Sequence, residues 1–298
     1  MSAVVGIDAR MMEHSVIGTY LRQLTKGLAN GASAGGNLSC VYYGDPAMIS
    51  RHLPGVPDDA LRRFDAPIYS LREHWEYVLL RRQWDLWHCP HYAVPCVKKG
   101  KLVATVHDLI HLVFQGRFFN ALQGLYARQC LAWVRGNADA VIAVSQSTKK
   151  DLVEIAGIAP EKITVIYEGV SPEFRPLGDA TELQSLKRKY GLDEDFILYV
   201  GNIKPHKNVG QLARVFRGLK ALKKIGGNLV LVGRPDPEHL RKDPDLRSAA
   251  SDPSVRFIAD VPWEDLPGLY NLARAVILPS LYEGFGLVVL EAMACGTP

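Results

Sequence analysis

Twice along this chain, short β-branched runs alternate with longer segments whose apolar residues recur at helical spacing, and a polar stretch separates the two series. The first series holds "AVVGID", "LSCVYYG", "DLWHCP", "KLVATVHD", "AVIAVS" and "KITVIYEG"; the second holds "FILYVG", "NLVLVG", "VRFIAD" and "AVILPS". Strands joined through helices run parallel, because the crossover returns the chain to the same end of the sheet. The stretch between the series, "SPEFRPLGDA", mixes proline, glycine and charge as linkers do. The pattern predicts an α/β chain of two Rossmann-like, doubly wound domains, residues 1–175 and 176–298, facing each other across a cleft. A length of 298 residues gives each enough chain for its own core.

Composition removes several alternatives. With 48% hydrophobic and 22% charged residues the chain is globular, with no reason to expect disorder. A net charge of +4 is too small to argue for nucleic acid, though it suits an anionic small substrate or an acidic membrane surface. The Met1 end lacks the long apolar core of a signal peptide, and no run reaches the roughly 18 residues needed to span a bilayer. A cytoplasmic protein is therefore expected, with a peripheral contact at the inner face of the membrane as a further option. The five scattered cysteines fit reduced thiols.

In open parallel sheets, ligands bind beyond the carboxyl ends of the strands. "FILYVG" is followed by "NIKPHKNVGQLARVF", which sets Lys204, His206 and Lys207 just ahead of a helix with Asn208 as its expected N-cap. Free N–H groups, the positive end of the helix dipole and an ammonium all favour phosphate there; a solvated lysine-rich turn is the plainer alternative. "AVILPS" leads into Glu283, Gly284-Phe285-Gly286 and an apolar helix from Leu287 that carries Glu291. The glycines let backbone approach a ligand, and the carboxylates suit sugar and ribose hydroxyls. His107-Asp108 stands at the end of "VATVHD", and Gly18 lies between the first strand and its helix. No G-x-G-x-x-G occurs in that first loop, which argues against a dinucleotide cofactor. "WHCPHYAVPC" offers His88, Cys89, His91 and Cys96, but without the paired spacings of a zinc site. "LREHWEYVLLRRQW" reads as an amphipathic helix able to touch a lipid surface.

Together these stretches resemble the family-four retaining glycosyltransferases of the GT-B fold, over most of the chain. "VPWEDLPGLYNLARAVILPSLYEGFGLVVLEAMACGTP" contains that family's Glu, seven residues, Glu motif at Glu283 and Glu291, and "VGNIKPHKN" is similar to its phosphate-binding loop. "HCPHYAVP" and "VHDL" resemble parts of its N-terminal domain. The resemblance implies a nucleotide-sugar donor, with mannose a candidate sugar, a glycan or lipid-linked acceptor, and neither metal nor cofactor. It assigns Glu291 to the ribose and Glu283, with the backbone from Gly284 to Leu287, to the donor sugar and diphosphate. Lys207 and His206 fall in the diphosphate loop, and His107, beside Asp108, at the donor sugar; Gly18 belongs to the loop near acceptor or diphosphate. His206 and Thr19 stand where relatives commonly carry arginine, so either donor affinity is reduced or another residue, Lys204 or Arg10, compensates. Relatives continue past Gly-Thr-Pro, so the second domain is expected to be incomplete. A non-catalytic nucleotide-sugar-binding protein and a nucleotide-sugar epimerase would use many of the same residues.

Overall fold

A computed structural model describes residues 3–33, 38–192 and 195–298. The chain divides into two compact units, Met1–Glu168 and Gly169–Pro298. The sequence puts the boundary near residue 175, but Phe174 is buried with its ring 5.1 Å from Trp263 and 5.6 Å from Tyr270, so the linker's first residues pack with the second unit.

Among the described residues the first unit holds seven strands: β1 Ala3–Asp8, β2 Leu38–Gly44, β3 Leu61–Arg63, β4 Leu86–Cys89, β5 Lys101–Val106, β6 Ala140–Ala143 and β7 Ile163–Val165. All pairs are parallel, in the order β3-β2-β1-β4-β5-β6-β7. The chain thus moves outward to one edge, then returns to the centre and fills the other side. The reversal leaves a switch point between β1 and β4, the place in such sheets beyond whose carboxyl ends ligands bind. Tyr43, Trp84 and Trp87 pack their rings within 4.7–5.3 Å of one another on one side, while Ile7, Met12, Leu21 and Ile49 form a separate core cluster.

The second unit repeats the plan with β8 Phe196–Val200, β9 Asn228–Val232, β10 Val255–Ile258 and β11 Ala275–Val276, ordered β10-β9-β8-β11 and parallel throughout. Successive residues feed opposite faces: Leu198 and Val230 pack with Leu269 and Tyr270, whereas Tyr199, Leu229 and Leu231 pack with Val209 and Leu246. Both faces are buried, as a parallel sheet covered by helices requires. β11 is shorter than "AVILPS" suggests. Its Val276 N–H turns to the Pro298 carbonyl, and after Ile277 the chain reaches Pro279, which has no N–H to extend a ladder. The switch point of this sheet lies between β8 and β11.

Candidate functional site

The loops that leave β8 and β11 are tied together by three side-chain or backbone links. Beyond β8 the chain turns at Gly201, whose carbonyl would collide with any Cβ at Gly233, and makes a 3-10 turn over Pro205–Lys207. Asn208 follows in the left-handed conformation at φ 57°, and the helix Val209–Ala221 begins. Asn208 holds the expected cap position without capping through its side chain; its Nδ2 instead donates to the Pro279 carbonyl at 3.2 Å. The Leu281 N–H donates to the His206 carbonyl at 2.9 Å. Finally, the Lys207 ammonium donates to both oxygens of Glu283, at 2.6 and 2.9 Å. Residues 76 positions apart therefore form one ion pair at the switch point.

His206 is buried, and its main chain helps pin the second loop, whereas Lys204 is exposed. Gly284 to Gly286 lead from Glu283 to the helix Leu287–Ala294, with Gly286 at φ 90° as its N-terminal residue and no side-chain cap. A Cβ there would meet only ordinary contact, so the left-handed backbone is what selects glycine. The first turns of the 209–221 and 287–294 helices thus keep uncapped ends beside the Lys207–Glu283 pair, and their N–H groups favour an anion.

Glu291 lies one turn into the 287–294 helix and is buried, accepting a 2.6 Å hydrogen bond from the Tyr270 hydroxyl at Oε2. Burial raises its carboxyl above the usual carboxylate range, partly offset by that bond; burial and the neighbouring Glu291 charge raise the Tyr270 phenol as well. Tyr270 was not singled out in the sequence. Its signal is general: a tyrosine in the apolar helix Leu266–Leu272 needs a partner for its hydroxyl when buried.

In the first unit, polar groups gather at the carboxyl ends of β1, β4 and β5. Arg10 is fully committed, with Nε and Nη2 on Asp8 at 2.9 and 2.6 Å, Nη2 also on Glu73 at 3.2 Å and Nη1 on the Ala66 carbonyl at 2.8 Å. Burial would raise Asp8, but Arg10 and His91 hold it well below the usual range; burial pushes Glu73 up to about 7 in spite of Arg10, and His88 down to about 4. His88 bonds Thr105 at 3.0 Å and the Ala93 N–H donates to His91 Nδ1 at 3.1 Å, so each has a protein partner.

His107 sits between two acceptors, with Nδ1 2.9 Å from the Glu168 carboxylate and Nε2 3.1 Å from the Pro90 carbonyl. Asp108 turns its carboxylate to the Ile110 N–H at 3.0 Å, a local turn beside His107. Gly18 lies inside the helix Ser15–Ser33, four residues along, and a Cβ there would come within 2.5 Å of the Met12 carbonyl. Its bareness serves the loop's own backbone. Glu168 also escaped the sequence reading, although "KITVIYEG" sets it just past a strand end, where charged residues merit attention.

The profile of the family described as Glycosyltransferase Family 4 matches residues 17–174, more than half of the chain, and that of Glycosyl transferases group 1 matches residues 183–298. A serotype-specific mannosyltransferase WbdA of Escherichia coli is 36% identical over 203 residues, 66% of this chain and 24% of the relative. The O-antigen chain mannosyltransferase B of Escherichia coli is 26% identical over 230 residues, 77% of this chain and 58% of the relative. The chain thus spans about a quarter of the length of the first of these and somewhat over half of the second. Among solved structures, Anabaena Alr3699/HepE in complex with UDP-glucose shares the fold with a TM-score of 0.73 at 19% identity, over 99% of this chain and 79% of that one. The two parallel-sheet units are those of the GT-B plan, and the chain belongs to glycosyltransferase family 4.

Proposed function

We propose that this chain is a retaining glycosyltransferase, with the second unit taking a nucleotide-sugar donor and the first serving the acceptor. The observation that carries the reading is the Lys207–Glu283 pair at the β8/β11 switch point, flanked by two uncapped helix starts. Departure of a nucleoside diphosphate concentrates negative charge, and a fixed ammonium with oriented N–H groups stabilises that charge without reorganisation. Lys207 takes the diphosphate, with His206 shaping its loop. Glu283, released from Lys207, accepts from a sugar hydroxyl while the backbone from Gly284 through Phe285 and Gly286 to Leu287 follows the diphosphate. Glu291 keeps Oε1 for the ribose while Tyr270 holds Oε2. His107, steadied by its neighbours and beside Asp108, is the first unit's candidate for contact with the transferred sugar; Gly18 supports the loop near the acceptor.

Mannose is the first sugar to test, since two relatives are named mannosyltransferases, and UDP-glucose the second, since a protein of the same fold is described with it. A glycan or lipid-linked acceptor accords with relatives named for O-antigen chains. Work at the cytoplasmic face of a membrane is supported by the helix Leu71–Leu79, whose Leu71, Trp75 and Leu79 recur every four residues and are 72–80% exposed. No described helix is long and apolar enough to cross a bilayer. The reading is tested by mixing the chain with a panel of nucleotide sugars, with and without chelator, and following both ligand-induced stabilisation and release of nucleoside diphosphate on adding glycan acceptors. One nucleotide sugar is expected to stabilise the chain without metal and to be consumed only with acceptor. Acceptor-independent conversion would favour an epimerase, and binding without turnover a non-catalytic binder.

A further inference from the structure

Glu168 lies between Tyr167 and Gly169, both exposed, yet its own side chain is only 8% exposed. Turning a carboxylate inward is costly unless a donor meets it, and His107 Nδ1 meets it at 2.9 Å. The ring is held on its other sides too. Nε2 lies 3.1 Å from the Pro90 carbonyl, the Tyr20 ring stands edge-on with centroids 5.0 Å apart, and the Thr148 hydroxyl donates to the His107 carbonyl at 3.2 Å. Tyr20 is itself fixed by a 2.9 Å bond between its hydroxyl and Thr105. A flip of the imidazole would put carbons where both nitrogens now find oxygen.

Both of those oxygens are acceptors, but a neutral imidazole has a single N–H. The ionised carboxylate is the stronger acceptor, so the proton belongs on Nδ1. Nε2 then carries a lone pair that faces the Pro90 carbonyl, a contact that improves only when Nε2 gains a hydrogen. We propose that Glu168 is the positioning residue of His107: it fixes the orientation of the ring and holds its proton on Nδ1. The proposal deepens the assignment of His107 to the transferred sugar and rests on it for its functional meaning. The fixed tautomer itself needs no ligand.

Long-range 15N–1H correlation spectra of the histidine-labelled full chain at pH 9 read the tautomer directly, at a pH where imidazoles are ordinarily neutral. The His107 signals are identified by their loss in His107→Gln. In the unsubstituted chain the Nδ1–H form is expected to exceed the Nε2–H form by about tenfold or more, given the strength of a charge-assisted bond. Glu168→Gln keeps an acceptor at the same place and retains Nδ1–H, whereas in Glu168→Leu only the Pro90 carbonyl remains and the proton moves to Nε2. An Nε2–H ring in the unsubstituted chain, or an Nδ1–H ring that persists in Glu168→Leu, overturns the proposal. The unsubstituted chain decides the first point even if Glu168→Leu folds poorly. Because no donor is added, failure here is distinct from failure of the transferase reading, which the nucleotide-sugar panel decides.

Discussion

Replacing Lys207 with alanine will weaken binding of a nucleoside diphosphate by about 10- to 150-fold, the worth of a charge-assisted hydrogen bond, and leave the corresponding nucleoside within about twofold. The asymmetry follows from position. Lys207 ends the turn after β8 beside the uncapped start of the 209–221 helix, and its ammonium reaches only what enters at the switch point. In the proposed arrangement the ribose meets Glu291, which is buried against Tyr270 in the other helix. The substitution also leaves Glu283 without its counter-ion, so an incoming diphosphate meets an unneutralised carboxylate, which pushes the loss toward the upper end of the range. Isothermal titration with the diphosphate and the nucleoside of the same base measures both affinities. Equal losses would detach Lys207 from phosphate.

Glu283→Gln is expected to act in the opposite direction on the bare diphosphate. Both Glu283 oxygens hold the Lys207 ammonium, so an entering diphosphate competes with a carboxylate for the same cation. Glutamine removes one negative charge from the site and releases Lys207. At the separation of an ion pair, one charge is worth about 1 kcal/mol in water and about 4 at a protein surface; with both side chains 20–26% exposed, a gain near 1–2 kcal/mol, or about 5- to 30-fold, is the expected size. Folding stability should change by less than about 1 kcal/mol, since partly solvated ion pairs contribute little. The full nucleotide sugar should gain less than the diphosphate, because its sugar loses a carboxylate acceptor. Titration of both ligands against the variant checks the sign. Unchanged or weaker diphosphate binding would mean that Glu283 does not restrain Lys207.

The origin of that ion pair shows what the sequence disclosed and what it withheld. Lys207 and Glu283 each stood out in its own loop because a strand end, a helix start and glycine or proline are local patterns. Their meeting depends on β11 returning to lie beside β8 after β9 and β10 have moved away, and nothing within either loop encodes that return. Ten of the eleven strands among the described residues fell within runs read from β-branched composition. The exception, Leu61–Arg63, is a three-residue edge strand with two arginines, which edge strands tolerate and composition hides.

Side-chain partners were the least legible feature. Glu168 and Tyr270 reach His107 and Glu291 across 61 and 21 positions of sequence, through packing rather than spacing. Asn208 was expected to cap its helix and instead spans to Pro279, since its left-handed backbone turns the side chain from its own N–H groups toward the neighbouring loop. Gly18 suggested a ligand's close approach, but the Met11 and Met12 carbonyls already occupy the space its missing side chain leaves. A bare glycine cannot by itself say what approaches it.

On the proposed function, a nucleotide enters the second unit at the β8/β11 switch point. Amide hydrogen exchange of the chain, with and without saturating nucleoside diphosphate, tests it most directly, because a bound diphosphate slows exchange where backbone N–H groups meet it. Slowed exchange is expected in peptides covering residues 201–212, which hold Lys207 and the start of its helix, and residues 279–291, which hold Glu283, the glycine turn and Glu291. Saturable binding that leaves both stretches unchanged, or slows exchange only in residues 3–168, would contradict the claim.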